Sequence, residues 1–210
     1  KITKKEMTVF DDDATAAFLR AIQGHVHELL YKIALFTGMR EGELLGLTWN
    51  CVDISEESIL KNEASIYINK ELQRVSKKAM KTLESKDIIY AFPEQGQGNK
   101  TQLVLKKPKT LSSVWKVFLP TSVAKMLVAW KMEQDAIIEA IGSEYADYKL
   151  VIATANGLPT ESSRIRKAMK DLIADNDLPS VVFHSLRHSS ITYKLKLNGG
   201  DIKSVQGDSG

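Results

Sequence analysis

Apolar and polar positions alternate along this chain with two periods, and the period changes from place to place. The clearest helical stretch is HVHELLYKIALFTG, residues 25–38. There Val26, Leu29, Leu30, Ile33 and Phe36 or Thr37 line one stripe, and Gly38 suits the position just past a helix end. Upstream, DDDATAAFLRAI reads as a helix start, because carboxylates favour the first turn. Downstream, REGELLGL reads as a second short helix; Gly42 and Gly46 weaken it by propensity, so packing must hold it.

The middle of the chain switches to a period of two. ASIYINKEL alternates as a strand, with Ile66 and Ile68 on one face. A short apolar run and a Gln/Gly/Asn-rich turn follow in LESKDIIYAFPEQGQGNKTQ. In LVLKKPKTLSSVWKVFLP, either Val114, Lys116 and Phe118 or Trp115, Val117 and Leu119 face inward, and Pro108 belongs to a turn or an edge. This region predicts a small antiparallel sheet with Lys107 to Ser113 at a hairpin tip. Pro120 and Thr121 then open a long helix through Val123, Met126, Leu127, Trp130 and Ile137 to Gly142. KLVIAT is a short extended piece. TESSRIRKAMKDLIADN is an amphipathic helix with Ile165, Met169, Leu172 and Ile173 inward. SVVFHSLRHSSITYKLKLNGG is an extended run leading into a helix that ends at the glycine pair, and DIKSVQ begins one more. The expected fold class is mostly α with a small antiparallel β-sheet (α+β), in a single domain over residues 1–210.

Composition narrows this picture. Apolar residues make up 43% and charged residues 26%, as in globular proteins generally. No apolar run approaches membrane-spanning length, and KITKKEMTVF has no signal-peptide core. Cys51 is the one cysteine, so an internal disulfide is excluded and a reducing cytoplasm is the expected compartment. The net charge of +3 conceals a gradient: residues 1–60 carry 6 basic and 10 acidic side chains, whereas residues 61–116 carry 12 basic and 5 acidic ones. The positive middle is either a polyanion-facing element or a solvated lysine-rich insertion.

The candidate chemistry lies in FHSLRHSSIT, residues 183–192, which holds two of the four histidines. His184, Arg187 and His188 stand at i, i+3 and i+4 and share one helix face. Ser185 as the N-cap would put them at the positive end of the helix, where an anion meets a guanidinium fork, an imidazole and free backbone donors. Phosphate is the natural guest. The histidine pair has metal-ligand spacing, but no carboxylate or thiol lies in register beside it, and neither Ser185 nor Ser189 sits in a nucleophile elbow. TGMREGELLGL places a second guanidinium, Arg40, at the start of another helix, with Glu43 one turn on to hold it. A purely local Arg40–Glu43 pair is the other reading of that spacing.

TGMREGELLGLTW followed far downstream by HSLRH resembles the catalytic domain of the tyrosine recombinases, the phage-integrase family. KPKTLSSVWKVFLP resembles the family's β-hairpin with its lysine, here Lys109, and NGGDIKSVQGDSG resembles the segment leading to the last basic or aromatic position. The wording is most similar to integrases of conjugative transposons and related phages of Gram-positive bacteria. The resemblance implies that Arg40 and Arg187 clamp a scissile DNA phosphate. It implies that His184 bonds the phosphate or accepts the nucleophile's proton, that Lys109 protonates the leaving 5′ oxygen, and that Glu43 and His188 support the clamp. It implies double-stranded DNA as partner, a homo-tetramer in synapsis for the full-length protein, a bacterial cytoplasmic setting, and neither metal nor other cofactor. Lys107 on the hairpin and Arg164, Arg166, Lys167 and Lys170 on their helix are the expected DNA contacts; a solvated helix face is the alternative for Lys167 and Lys170.

Two family parts are missing from this resemblance. The final His or Trp and the nucleophilic tyrosine would fall beyond GDSG. Tyr193 sits within the HSLRH helix, and Tyr31, Tyr67, Tyr90, Tyr145 and Tyr148 match no nucleophile segment. The expectation is therefore a chain truncated before the nucleophile, without core-binding and arm-binding domains, that binds DNA and does not cleave it. A non-catalytic DNA-binding relative and a type IB topoisomerase are the alternatives; the hairpin and GDSG wording speak against the latter.

Overall fold

The computed structural model describes residues 10–82, 86–94, 98–110 and 113–197, with side chains to residue 191. Helix α1 (Asp12–Ala21) is capped by Asp11, whose carboxylate accepts from the Ala14 amide at 2.8 Å. Helix α2 (Glu28–Thr37) is the centre of the fold, packed by three others: the short α3 (Glu41–Leu45), the long α6 (Thr121–Ile141) and the last helix α8 (Phe183–Leu197). Its buried residues are Leu30, Tyr31, Ile33, Ala34, Leu35 and Thr37. That is most of its circumference rather than one stripe, because partners lie on several sides. Val26, assigned to the stripe from its spacing, precedes the first turn and is 85% exposed.

The strands confirm the α+β class but divide between two antiparallel sheets. One has the order β1 (Val52–Asp53), β2 (Ser65–Ile68), β6 (Trp115–Phe118). The other has the order β3 (Glu71–Ser76), β5 (Thr101–Lys106), β4 (Ile88–Ala91). The short helices α4 (Glu56–Leu60) and α5 (Lys77–Thr82) follow β1 and β3. The expected hairpin with its tip at Lys107–Ser113 does not form: β5 pairs with β3 and β4, and β6 pairs with β2. Ile68 faces Trp115 across the first sheet, so the intervening chain is an excursion that builds the second sheet and returns. The physical reason lies in the side chains. Beta strand β6 alternates, with Trp115, Val117 and Leu119 buried and Phe118 exposed, which matches the inward Ile66 and Ile68 of β2. In β5 the consecutive Val104, Leu105 and Lys106 are all buried, as suits a central strand covered on both faces.

The second sheet is anchored against α3 through glycine. A Cβ on Gly46 would lie 2.6 Å from the Leu72 amide nitrogen and 2.9 Å from the Glu71 carbonyl carbon. A Cβ on Gly42 would lie 3.0 Å from the Leu72 carbonyl oxygen. The glycines that weaken α3 by propensity are what let a strand backbone lie directly on it. On the other side, Gln134 of α6 is buried and accepts from Trp49 Nε1 at 2.5 Å while donating to the Leu150 carbonyl at 3.1 Å. Those bonds hold the extended piece that bridges Thr48 to Leu150. Helix α7 (Ser162–Asp175) buries Ile165, Met169, Leu172 and Ile173, the stripe read from its spacing. The glycine-pair helix end and the DIKSVQ helix lie outside the described residues. No helix among the described residues is long and apolar enough to cross a membrane.

Gly46→Ala should lower stability by about 1–3 kcal/mol, since the added methyl meets backbone that cannot swing aside. Denaturant unfolding measures this, and an unchanged midpoint would show that α3 and β3 can separate at little cost.

Candidate functional site

Arg40 sits at the N-cap of α3 with extended backbone, φ −69° and ψ 150°. Its amide donates to Glu43 Oε2 at 2.8 Å, and its guanidinium Nη1 donates to Glu43 Oε1 at 2.7 Å. Glu43 is 4% exposed, so a buried carboxylate holds both the backbone and the head group of Arg40, whose side chain remains 40% exposed. This is more than a surface pair. Removing the arginine would strand a buried charge.

Arg187 reaches the same turn from the other direction. It lies on α8, is buried, and donates from Nη1 to the carbonyl of Gly38. Gly38 closes α2 in the left-handed conformation, φ 75°. A Cβ there would stand 3.3 Å from Ser190 Oγ of α8, so glycine serves both the turn and the helix approach. Burial first, and then the Arg40 charge, press the Arg187 pKa down from its ordinary value, while Glu43 opposes them. Two guanidinium groups 147 positions apart in sequence, Arg40 and Arg187, are thus anchored on one three-residue turn, Gly38–Arg40.

His184 stands in the first turn of α8, its ring edge-on to His188 with centroids 4.7 Å apart. Its pKa is lowered from 6.5 by partial burial first, then by His188, Arg187 and Arg40. It is therefore neutral at pH 7 and able to accept a proton. His188 Nε2 is buried and has no hydrogen-bond partner among the described residues. Ser185 is not the N-cap expected from its position. The helix begins at Phe183, the Ser185 amide already bonds the Val182 carbonyl at 2.8 Å, and its hydroxyl is buried without a partner among the described residues. The apolar Phe183 and Leu186 are drawn into the core and start the helix one turn early.

Arg40, His184 and Arg187 line one cleft of about 730 Å³, together with Glu41, Arg166 and Lys170. Other expected site residues fall elsewhere. Lys109 and Lys107 are exposed in the loop after β5 and are not among the residues lining the cleft. Arg164 lines a second cleft with Glu28 and Trp130, on the other side of α7 from Arg166, and Lys167 is exposed and lines neither. A helix turns 100° per residue, so a run of four nearby cations cannot share one face. No tyrosine among the described residues lines the cleft; Tyr31 is fully buried and donates to the Ile165 carbonyl at 3.2 Å. The side chain of Tyr193 and the GDSG segment lie outside the described residues. Two contributions were missed from sequence: the Gly38 carbonyl, and Glu41, which accepts from Arg166. The first has no side-chain signature, and the second bridges residues 125 positions apart.

Comparison with known proteins bears on this arrangement. The family model described as "Phage integrase family" matches residues 9–210. The chain is 27% identical over 203 residues to the tyrosine recombinase XerC-like protein of Caldanaerobacter subterraneus subsp. tengcongensis, covering 95% of this chain and 46% of that protein. It is 22% identical to the ICEBs1 integrase of Bacillus subtilis, covering 97% of this chain and 50% of that protein. The chain thus spans about half the length of these relatives. Among solved structures, the Tn1549 transposon integrase in complex with transposon right end DNA is similar at a TM-score of 0.71 and 19% identity, covering 99% of this chain and 59% of that one. The XerH site-specific recombinase bound to palindromic difH substrate is similar at a TM-score of 0.62 and 19% identity, covering 98% and 46%.

The electrostatics of the cleft make a pH prediction. Depression of the His184 pKa means that its neutral form is favoured in the fold. Its contribution to stability is present above the unfolded value near 6.5 and is lost as pH falls through the lower folded value. Proton NMR titration should place His184 below 6.5, and Arg40→Ala should move it upward. A midpoint above 6.5 would contradict the depression, and one unmoved by Arg40→Ala would show that this guanidinium does not act on it.

Proposed function

This chain belongs to the phage integrase family, and from that premise we propose that residues 1–210 act as the catalytic domain of a site-specific DNA recombinase. It cuts and rejoins double-stranded DNA through a 3′-phosphotyrosine link. The observation that carries this reading is the convergence of Arg40, Arg187 and His184 on one cleft from opposite ends of the chain. Two guanidinium forks over one phosphodiester neutralise its charge, which otherwise repels any nucleophile, and they stabilise the charge that develops in the transition state. Each such donor contributes about 3 kcal/mol. A tyrosine hydroxyl has a pKa near 10, so a neutral His184 beside the clamp is suited to take its proton.

Lys109 is the candidate acid for the departing 5′ oxygen. Glu71 pairs with Lys106, and the Glu71 side chain abuts Gly42, so the end of β5 that leads toward Lys109 lies near α3, which supports this reading. Lys109 stands outside the cleft lining. Glu43 holds Arg40 through two bonds, and His188 backs His184. Because the broken bond's energy is kept in the phosphotyrosine, rejoining calls for no ATP. Synapsis through a homo-tetramer and a bacterial cytoplasmic setting belong to the same proposal for the full-length protein.

A DNA-binding relative that keeps the clamp without cutting is the second reading, since the same cleft would serve it. The two are separated by offering the full-length protein a nicked suicide duplex. The recombinase reading expects a covalent protein–DNA band that Arg187→Lys and Arg40→Ala each weaken by about a hundredfold or more in rate. A folded protein that binds duplex and never forms the band supports the second reading. For residues 1–210 alone, duplex binding should weaken steeply with salt, and salt-independent binding would contradict both.

A further inference from the structure

The remaining unassigned feature of the cleft is the ion pair between Glu41 and Arg166. Arg166 projects from α7, and its Nε donates to Glu41 Oε1 at 3.2 Å and to Oε2 at 2.9 Å, while Nη2 donates to Oε2 at 2.6 Å. One edge of the guanidinium fork is thereby occupied, and the side chain as a whole stays 66% exposed at the cleft. Glu41 is 13% exposed and adjoins Arg40 in sequence. The pair raises the Arg166 pKa, which keeps the charge fully on.

The five-residue α3 therefore carries two carboxylates with parallel tasks: Glu43 holds Arg40, and Glu41 holds Arg166. A carboxylate beside a phosphate clamp repels the polyanion, so Glu41 works against DNA binding unless it does something else. An untethered surface arginine gives up rotamer freedom when it is pinned to a ligand. An arginine already fixed along one edge gives up less and offers its other edge in a set direction. Lys170 lies one turn further along α7, on the same cleft, and continues the row.

We propose that Glu41 is a positioning residue, holding Arg166 so that its outer guanidinium edge meets a backbone phosphate next to the one gripped by Arg40 and Arg187. This rests on the DNA reading above, and it assigns to that cleft a second phosphate contact organised by α3. A bare inter-helix tie, with Arg166 serving only to cancel the Glu41 charge, would use the same bonds but would respond differently to substitution.

The test is fluorescence anisotropy of a labelled duplex of arbitrary sequence, a few helical turns long, titrated against salt, for the wild type, Arg166→Ala, Arg166→Lys, Glu41→Gln and the Arg166→Lys/Glu41→Gln pair. Arg166→Ala should reduce the salt slope by about 1 and affinity at 0.1 M salt by about eightfold, the loss of one phosphate contact. Arg166→Lys keeps the charge and loses the fork, so it should still weaken binding several-fold, and that loss should vanish once Glu41 is Gln. Wild-type-like binding by Arg166→Lys, or the same loss in both backgrounds, would overturn the proposal while leaving the DNA reading intact. A wild-type chain that binds no duplex overturns both. Thermal unfolding of each variant separates these outcomes from loss of fold.

Discussion

Two positive charges held side by side are the constraint around which this molecule is arranged. Arg40 and Arg187 repel each other, and Arg187 is buried besides, so each of the two disfavouring effects on its pKa opposes the arrangement. The fold offsets them with fixed acceptors. The Gly38 carbonyl receives Arg187, and the buried Glu43 carboxylate receives Arg40 at both its amide and its head group. Neither acceptor can follow an arginine outward, because one is a backbone turn and the other is a buried side chain of α3. What remains exposed is attractive to an anion, and an anion placed between the two would relieve their repulsion. A site of this kind is preorganised: its dipoles and charges are in place before any anion arrives.

Holding that turn still requires packing on every side. Helix α2 is buried around most of its surface and ends in a left-handed glycine that Ser190 of α8 closes over. Helix α3 is only five residues long and would not persist by its own propensity. It is pressed between α2 and the backbone of β3, which its glycines admit to contact. The second sheet, an excursion from the first, is therefore part of the support of the site. Arg74 of β3 pairs with Glu161 at the start of α7, and Phe92 packs edge-on against Tyr148 with ring centroids 4.9 Å apart. The excursion carries the basic excess noted from composition, so the most cationic segment is tied to the helices that line the cleft.

Much of the architecture was legible in the order of residues. The helix of Gly38, the α7 stripe, the long helix from Thr121 to Gly142 and the inward Ile66 and Ile68 all follow from local periodicity, and local periodicity is what each element obeys. The clustering of His184, Arg187 and His188 on one helical face was equally local, as was the hold of Glu43 on Arg40 one turn away. Where reading failed, a distant partner had intervened. Val26 lost its place when α2 began two residues later, the Ser185 cap was displaced by Phe183 and Leu186 entering the core, and one expected hairpin became strands of two sheets.

By itself, then, the sequence determined the helices, the alternation of the strands, one guanidinium group at a helix start and a second on the face shared by His184 and His188, and the family to which those motifs point. Only the tertiary structure decided that the two guanidinium groups meet, that Arg166 faces the cleft while Arg164 faces another, and that Lys109 lies on a loop outside it. The physical reason is range. Backbone geometry and side-chain spacing act over a few residues and can be read as pattern. The meeting of Gly38 with Arg187, or of Glu41 with Arg166, depends on the summed packing of everything between them.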